Sequence, residues 1–156
     1  MRTGTVDTFL TEILQGIHLP TDQYYAALYL PTAKIDPSTT FRYVADGEVP
    51  ETRRDERGDT HPTGYKVGGM LLIGRQVVRD GPVSFLDWDD PVWPRASITA
   101  RAVLIYNRSR ENRVVAIFEM DQLYVSTNGD FIVELPEPTS KTALVRIGKA
   151  IQSESD

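Results

Sequence analysis

Several residue types that carry common chemistries are missing or scarce in this chain. There is no cysteine among its 156 residues, which excludes thiol catalysis, cysteine-ligated zinc and a disulfide framework. Histidine occurs twice, as His18 and His61, and neither stands in a spacing known for metal ligation or for a catalytic triad. We therefore expect no catalytic residue, no cofactor and no bound metal.

A surplus of positive charge and a long apolar run are also lacking. The formal net charge is −5, and the field of an acidic protein repels nucleic acid and anionic membranes. No apolar run approaches the roughly 20 residues that a bilayer demands, and the N-terminus lacks the pattern of a secretion signal. The sequence predicts no nucleic-acid partner, no membrane partner and a soluble intracellular origin.

What the chain does contain is a succession of short segments with strand character. Between residues 98 and 135, apolar runs rich in Val, Ile, Tyr and Phe are closed by Asn, Gly, Ser or Asp, a pattern typical of consecutive antiparallel strands. Residues 102–106 and 114–118 are almost continuously apolar, which indicates strands covered on both faces. The prediction is a β-meander with a second sheet packed over it.

The remaining strand signals complete an all-β fold. Asp80-Gly81 predicts a tight turn in a hairpin over residues 70–86, and the two tryptophans and two prolines of residues 87–94 favour an edge strand or a corner. Other strands are predicted at residues 24–30 and 143–147. We expect one domain over residues 1–156, an antiparallel β-sandwich that is jelly-roll-like or immunoglobulin-like, with one short N-terminal α-helix.

That helix is predicted over residues 5–17. Its apolar residues recur at i, i+3, i+4 and i+7, with Thr5 as a plausible N-cap and Gly16 near the end. A helix this short is marginal alone in water. Its apolar face, which includes Phe9 and Ile13, must therefore dock on the chain's own sheet or on another subunit, and the sequence leaves both open.

Residues 32–63 are rich in charged and turn-forming residues, and only Phe41, Tyr43 and Val44 look able to bury. A connection this long in a compact domain is usually functional. We interpret it as an interaction arm that carries intersubunit contacts together with the N-terminal helix. Its candidate interface residues are Arg53, Arg54 and Arg57.

The two tryptophans are further interface candidates. Large aromatic side chains fill cores and also anchor interfaces, so we expect one of Trp88 and Trp93 in the core and the other at an interface. An open aromatic cleft around them would instead indicate a ligand-binding module. Asp87, Asp89 and Asp90 could offer oxygen ligands to a cation, but the spacing of a calcium loop is missing and turn chemistry accounts for them.

A glycine-rich segment at residues 64–69 superficially resembles a phosphate-binding loop. Its lysine is misplaced, and no helix start follows to aim amide groups at an anion. The glycines are better explained by tight backbone turns.

One succession of segments resembles a family of small tailed-bacteriophage virion proteins. In it a Gly-Tyr-x-x-Gly-Gly element precedes an acidic tryptophan-containing segment and a strand of Thr-Ala-Arg type. The matching segments are residues 63–69, 83–93 and 97–106, with residues 24–30 and 125–131 fitting as well. The departures are the charged insertion at residues 50–61, the N-terminal helix and the tail beyond Ile147.

The resemblance implies a non-enzymatic virion component that assembles in the bacterial host cytoplasm. The expected role is a capsid cement or decoration protein that bridges and stabilises capsid subunits as a homo-oligomer, with a trimer as the expected state. Its partners would be the major capsid protein or other virion proteins. A neck, tail or baseplate subunit fits the same pattern. Two other classes are the rivals: a ligand- or carbohydrate-binding module in the virion, and a hydrolytic enzyme, which would need a carboxylate or histidine pair converging in a pocket.

Overall fold

The protein folds as an all-β, sandwich-like structure in which the strand pairings are antiparallel. The computed structural model describes residues 3–148. Its elements in chain order are β1 (Gly4–Thr5), α1 (Phe9–Leu14), β2 (Tyr24–Tyr29), a 3-10 helix (Val44–Asp46), β3 (Thr52–Arg54), β4 (Thr60–Pro62), β5 (Met70–Leu71), β6 (Gln76–Asp80), β7 (Val83–Asp87), β8 (Val92–Ala96), β9 (Thr99–Asn107), β10 (Arg113–Val125), β11 (Gly129–Ile132) and β12 (Arg146–Gly148). No helix among the described residues is long and apolar enough to cross a membrane.

A five-stranded sheet in the order β1-β10-β9-β2-β5 forms the centre of the molecule. Smaller sheets β12-β7-β6, β11-β8 and β3-β4 lie around it. Strand β9 is buried at seven of its nine positions, and β2 is buried along almost its whole length. Residues 102–106 of β9 and 114–117 of β10 are buried, as their continuous apolar sequence predicts.

The aromatic side chains form separate groups. Because successive strand residues point to opposite faces, Tyr24 and Tyr25 have different aromatic partners: the Tyr25 ring centre lies 5.9 Å from that of Tyr106. The Tyr24 ring centre lies 5.9 Å from that of Trp88. Trp93 belongs to another aromatic group, 6.2 Å from the Tyr65 ring and 6.4 Å from the Phe131 ring.

Both tryptophans are core residues. Trp88 is 5% exposed and Trp93 is 2% exposed, so the expectation that one of them anchors an interface is wrong. Trp88 borders a pocket of about 440 Å³, but it is the one aromatic residue in that lining, whose other members are acidic residues, prolines and Leu135. Trp93 still lies on an edge strand as its flanking prolines predict, because β8 pairs only with β11. Pairing with Phe131 turns its side chain inward.

The predicted meander ends after its first hairpin. Residues 123–125 form no strand of their own but continue β10, where Tyr124 pairs with Ala100. Phe131 pairs with Trp93 of β8 rather than with β10. The cause is an irregularity in β10: between the pairs Glu119–Ala102 and Tyr124–Ala100, β10 advances five residues and β9 only two. We refer to the residues between these two pairs, 120–123, as the β10 bulge.

The predicted hairpin at residues 70–86 is shorter and turns one residue later. Asp80 pairs with Val83, so the two turn residues are Gly81 and Pro82. Gly81 has φ +60°, which fits the first central position of a type II′ turn, and proline fits the second. Strand β5 belongs to the central sheet instead, because it pairs with β2.

The N-terminal helix is also shorter than the 5–17 predicted. Thr5 lies in β1, where it pairs with Ala116 of β10. The helix therefore starts at Phe9 and is followed by Gln15 as C-cap and Gly16 at φ +81°. Pairing with the central sheet displaces the helical conformation at residues 4 and 5.

Most of the predicted arm packs on the chain's own core. Ile35 and Val49 are buried, whereas Tyr43 is 58% and Val44 is 48% exposed, so the choice of burying residues was wrong. Val49 N–H donates to the carbonyl of Leu28 at 2.9 Å, which holds the segment against β2. The hairpin of β3 and β4, the β3–β4 hairpin, forms a two-stranded sheet of its own.

Two glycines provide a matched test of this packing. Gly69 and Gly81 both have positive φ, but a Cβ at Gly69 would lie 1.9 Å from the carbonyl oxygen of Ala26, whereas one at Gly81 would have no neighbour within 4 Å. We expect Gly81→Ala to lower the free energy of unfolding by about 1 kcal/mol and Gly69→Ala to lower it by about 3 kcal/mol more. Urea unfolding of both variants measures the difference, and equal losses would contradict the close approach of the loop to β2.

Candidate functional site

A buried ion-pair network fixes α1 to the chain's own central sheet. The Glu12 carboxylate is buried and binds two groups: its Oε1 lies 2.9 Å from His18 Nε2, and its Oε2 accepts a hydrogen bond of 2.7 Å from Arg113 Nη1. Phe9 is buried on the same side, and its ring centre lies 5.4 Å from that of His18. The helix docks on its own sheet, so Phe9 is not an intersubunit residue, and Ile13 packs partly buried against the core.

Asn107 extends this network and defines the state of His18. Its amide oxygen accepts from the backbone N–H of Ser109, and its Nδ2 donates to the Asp22 carboxylate at 2.9 Å. Since a backbone N–H can only donate and a carboxylate only accepts, the amide orientation is determined. Nδ2 therefore also donates to His18 Nδ1, 3.2 Å away. His18 is left as the neutral tautomer that donates from Nε2 to Glu12.

The Asp22 carboxylate closes the network at the surface. Burial alone would raise its pKa, but hydrogen bonds from Asn107 and Arg110 outweigh burial and lower the pKa below its ordinary value of 3.8. Arg110 Nε lies 3.0 Å from Asp22 Oδ2. The ionised carboxylate thus joins the segment before β2 to the loop between β9 and β10.

This network makes stability depend on pH. Because the pKa of Asp22 is lower in the folded state, its contribution is present above about pH 3.8 and is lost as the pH falls through the folded-state pKa. We expect Asp22→Asn to lower the free energy of unfolding at neutral pH by about 1 to 3 kcal/mol and to flatten the acid limb of its pH profile. Denaturant unfolding between neutral and acidic pH tests this, with the exposed Asp80→Asn as control. An acid limb as steep as that of the parent would contradict the assignment.

A second buried carboxylate, Glu48, organises the other side of the sheet. Its Oε1 lies 2.5 Å from Arg42 Nη1, and its Oε2 accepts 2.6 Å hydrogen bonds from the Tyr65 hydroxyl and from the Gly68 backbone N–H. Burial and then the neighbouring Glu48 carboxylate raise the pKa of Tyr65, so its hydroxyl stays protonated and donates. The Glu51 carboxylate accepts in the same way from the N–H of Val67.

The glycine-rich loop therefore does bind anions with its backbone amides, but these anions are the chain's own carboxylates. Sequence reasoning missed Glu48 because it lies in a charge-rich stretch that was interpreted as solvated. No local sequence pattern identifies Glu48, because its hydrogen bond to the glycine-rich loop joins residues that are 20 apart in the chain.

Beside Glu48, arginine and tyrosine side chains line a pocket of about 510 Å³. The Arg42 guanidinium lies 5.0 Å from the centre of the Tyr106 ring, and that of Arg108 lies 4.9 Å from the centre of the Tyr25 ring. The two tyrosine rings are cross-strand neighbours with centres 5.9 Å apart. We call this site the Arg–Tyr pocket; its lining is Tyr25, Arg42, Lys66, Val67, Gly68, Gly69, Tyr106, Arg108 and Asn112.

A third feature is a groove of mixed character at the β10 bulge, with a volume of about 540 Å³ and three carboxylates in its lining. We call it the β10–β11 groove. Tyr124 and Ile132 form part of its wall, and the Tyr124 hydroxyl donates to Asp121 at 2.7 Å. The full lining is Phe118, Glu119, Met120, Asp121, Tyr124, Ile132 and Glu134.

The predicted arginines lie on the exposed β3–β4 hairpin. Arg53, Arg54 and Arg57 are all exposed, and they are the only predicted interface residues that one surface element brings together. His61 Nε2 lies 2.8 Å from Asp55 Oδ2 in the same hairpin. Asp55 also accepts from the backbone N–H groups of residues 57 and 59, so this carboxylate–histidine pair closes the hairpin.

The aspartates beside Trp88 have local bonding roles. Asp90 Oδ1 accepts a 2.9 Å hydrogen bond from the backbone N–H of Leu135. Asp89 lies so close to Gly74 that a Cβ there would be 2.4 Å from its carboxylate oxygen. Within residues 3–148, no group of three or more His, Cys, Asp or Glu side chains could hold a metal ion.

No family model, curated protein or solved structure matches this chain. The similarity to phage virion proteins therefore stays a prediction from the sequence pattern. Any functional argument has to start from the surfaces described above.

Proposed function

We propose that this chain is a structural subunit of a tailed-bacteriophage virion. It acts as a capsid cement or decoration protein, a homo-oligomer that bridges neighbouring subunits of the major capsid protein. The observation that carries the proposal is the apolar surface at the β10–β11 groove. The succession of sequence segments described above supports the phage assignment.

Apolar side chains are unusually exposed in and beside this groove. Ile132 is 57% exposed and Val125 is 64% exposed, with Leu123 and Tyr124 exposed nearby along β10. Val92 pairs with Ile132 across the two-stranded sheet and is exposed as well. Tyr124 and Ile132 line the groove together, Val92 is the strand partner of Ile132, and the carboxylates of Glu119, Asp121 and Glu134 lie beside them. Exposed apolar surface rimmed by polar groups is characteristic of protein–protein contacts, so this side of the sandwich is the proposed attachment surface.

The groove is also held by the most buried part of the fold. Its floor strand, β10, pairs with β9, whose residues are nearly all buried. The two ends of the groove are anchored in this way, since Glu119 pairs with Ala102 and Tyr124 pairs with Ala100, and anchored residues lose less conformational entropy on binding. Rigid attachment is what a protein needs in order to hold neighbouring capsid subunits in place.

Particle stability tests the proposal directly. Capsids stripped of this protein should release DNA at a lower temperature, and adding the purified chain should raise that temperature as its concentration exceeds the dissociation constant. Release followed by a DNA-binding dye during heating gives the measurement. Saturating occupancy with unaltered release would reject the cement role and favour a neck, tail or baseplate position.

Substitution in the groove tests the attachment surface. Burying a large aliphatic side chain contributes about 1.5 to 3 kcal/mol, so Ile132→Asp should weaken attachment about tenfold or more. Leu14→Asp is the control, because Leu14 is 89% exposed on α1 and lies outside the groove. Both variants are first checked for unchanged thermal unfolding. Attachment of Ile132→Asp equal to that of the parent would exclude the groove as the contact.

A further inference from the structure

The Arg–Tyr pocket concentrates positive charge on a chain whose net charge is −5. Arg42, Lys66 and Arg108 line it, and its lining includes no carboxylate. Arg42 is already paired with Glu48. Within residues 3–148, Lys66 and Arg108 enter no ion pair, so two cationic groups stay available to an external anion.

The cationic groups are held in place by the protein. The Arg42 side chain is mostly buried, and both arginines lie against tyrosine rings, a contact that fixes the plane of the guanidinium. The Tyr106 hydroxyl in turn donates to the carbonyl of Gly68. A planar guanidinium fixed in this way is suited to bidentate binding of a carboxylate.

The backbone around the pocket is equally constrained. Gly69 packs against β2 too closely for any side chain, as its contact with Ala26 shows. On the opposite rim, Asn112 has φ +60°, and its carbonyl accepts a 2.9 Å hydrogen bond from the N–H of Arg42. Non-glycine residues with positive φ cost free energy and cluster at binding sites.

We propose that the Arg–Tyr pocket binds an acidic peptide segment of a protein partner, with Lys66 and Arg108 each binding a carboxylate. A segment is favoured over a single small anion because the free cations belong to separate elements, the glycine-rich loop and the β9–β10 loop, on a pocket of about 510 Å³. The surface is separate from the β10–β11 groove, so the inference does not depend on the role in the capsid.

Binding of a short fluorescent oligoglutamate peptide to the full chain tests the proposal. Fluorescence anisotropy should show binding that weakens with added salt and that an oligoglutamine peptide does not reproduce. The variant Lys66→Gln/Arg108→Gln should raise the dissociation constant about tenfold or more, because charge-assisted hydrogen bonds are lost. Lys141→Gln/Arg95→Gln removes the same charge from exposed positions outside the pocket and should bind like the parent.

Amide chemical shifts locate the site. Titration with oligoglutamate should move the signals of Gly68, Gly69 and Asn112, which line the pocket. Equal affinity in the two double variants, no binding by the parent, or shifts confined to other residues would each overturn the proposal. Displacement of the peptide by inorganic phosphate at equal concentration would also overturn it, since the site would then accept a small anion.

Discussion

The fold depends on satisfying a carboxylate that has no contact with water. The Glu48 side chain has 0% exposure, and an isolated charge buried in this way would cost several kcal/mol. Arg42, Tyr65 and the Gly68 N–H supply its partners. These groups come from separate parts of the chain. The segments that contain Arg42, Glu48 and the glycine-rich loop can therefore cover the central sheet only in the position in which all of these groups meet.

The same principle operates on the N-terminal side. Glu12 requires His18 and Arg113, and the network continues through Asn107 to Asp22. Apolar burial supplies most of the driving force for both covering segments but has little directional preference. Two buried carboxylates with fixed partners give each segment a defined register on the central sheet, which is also what positions the guanidinium groups around the Arg–Tyr pocket.

Local sequence patterns predicted β2, β9 and the first part of β10, with the two-sided burial of residues 102–106 and 114–117, because strand propensity and apolar continuity are properties of neighbouring residues. They missed β1, β3 and β4, and they placed the last strand at residues 143–147 instead of Arg146–Gly148. Pairing partners are not local, and this is why Phe131 was assigned to a meander although it pairs with Trp93. The candidate sites were harder still. In the sequence, Glu48 cannot be distinguished from a solvated glutamate, because its partners are distant in the chain. The sequence around Trp88 and Trp93 likewise does not indicate that both side chains are buried.

The β10 bulge, residues 120–123, lies between the two paired parts of β10 and contributes to the wall of the β10–β11 groove. Asp121 and Leu123 lie where β10 makes no Cα pairing with β9, between the pairs formed by Glu119 and Tyr124. The ladder resumes at Ala100 beyond the bulge. Met120 is buried in the core and its carbonyl accepts a hydrogen bond from Arg101, so the freely variable part of the bulge is the exposed residues 121–123. Related chains could therefore differ in the partner they attach to while keeping the same core. Mutations would be tolerated at the exposed groove residues and not in β9, the buried strand next to β10.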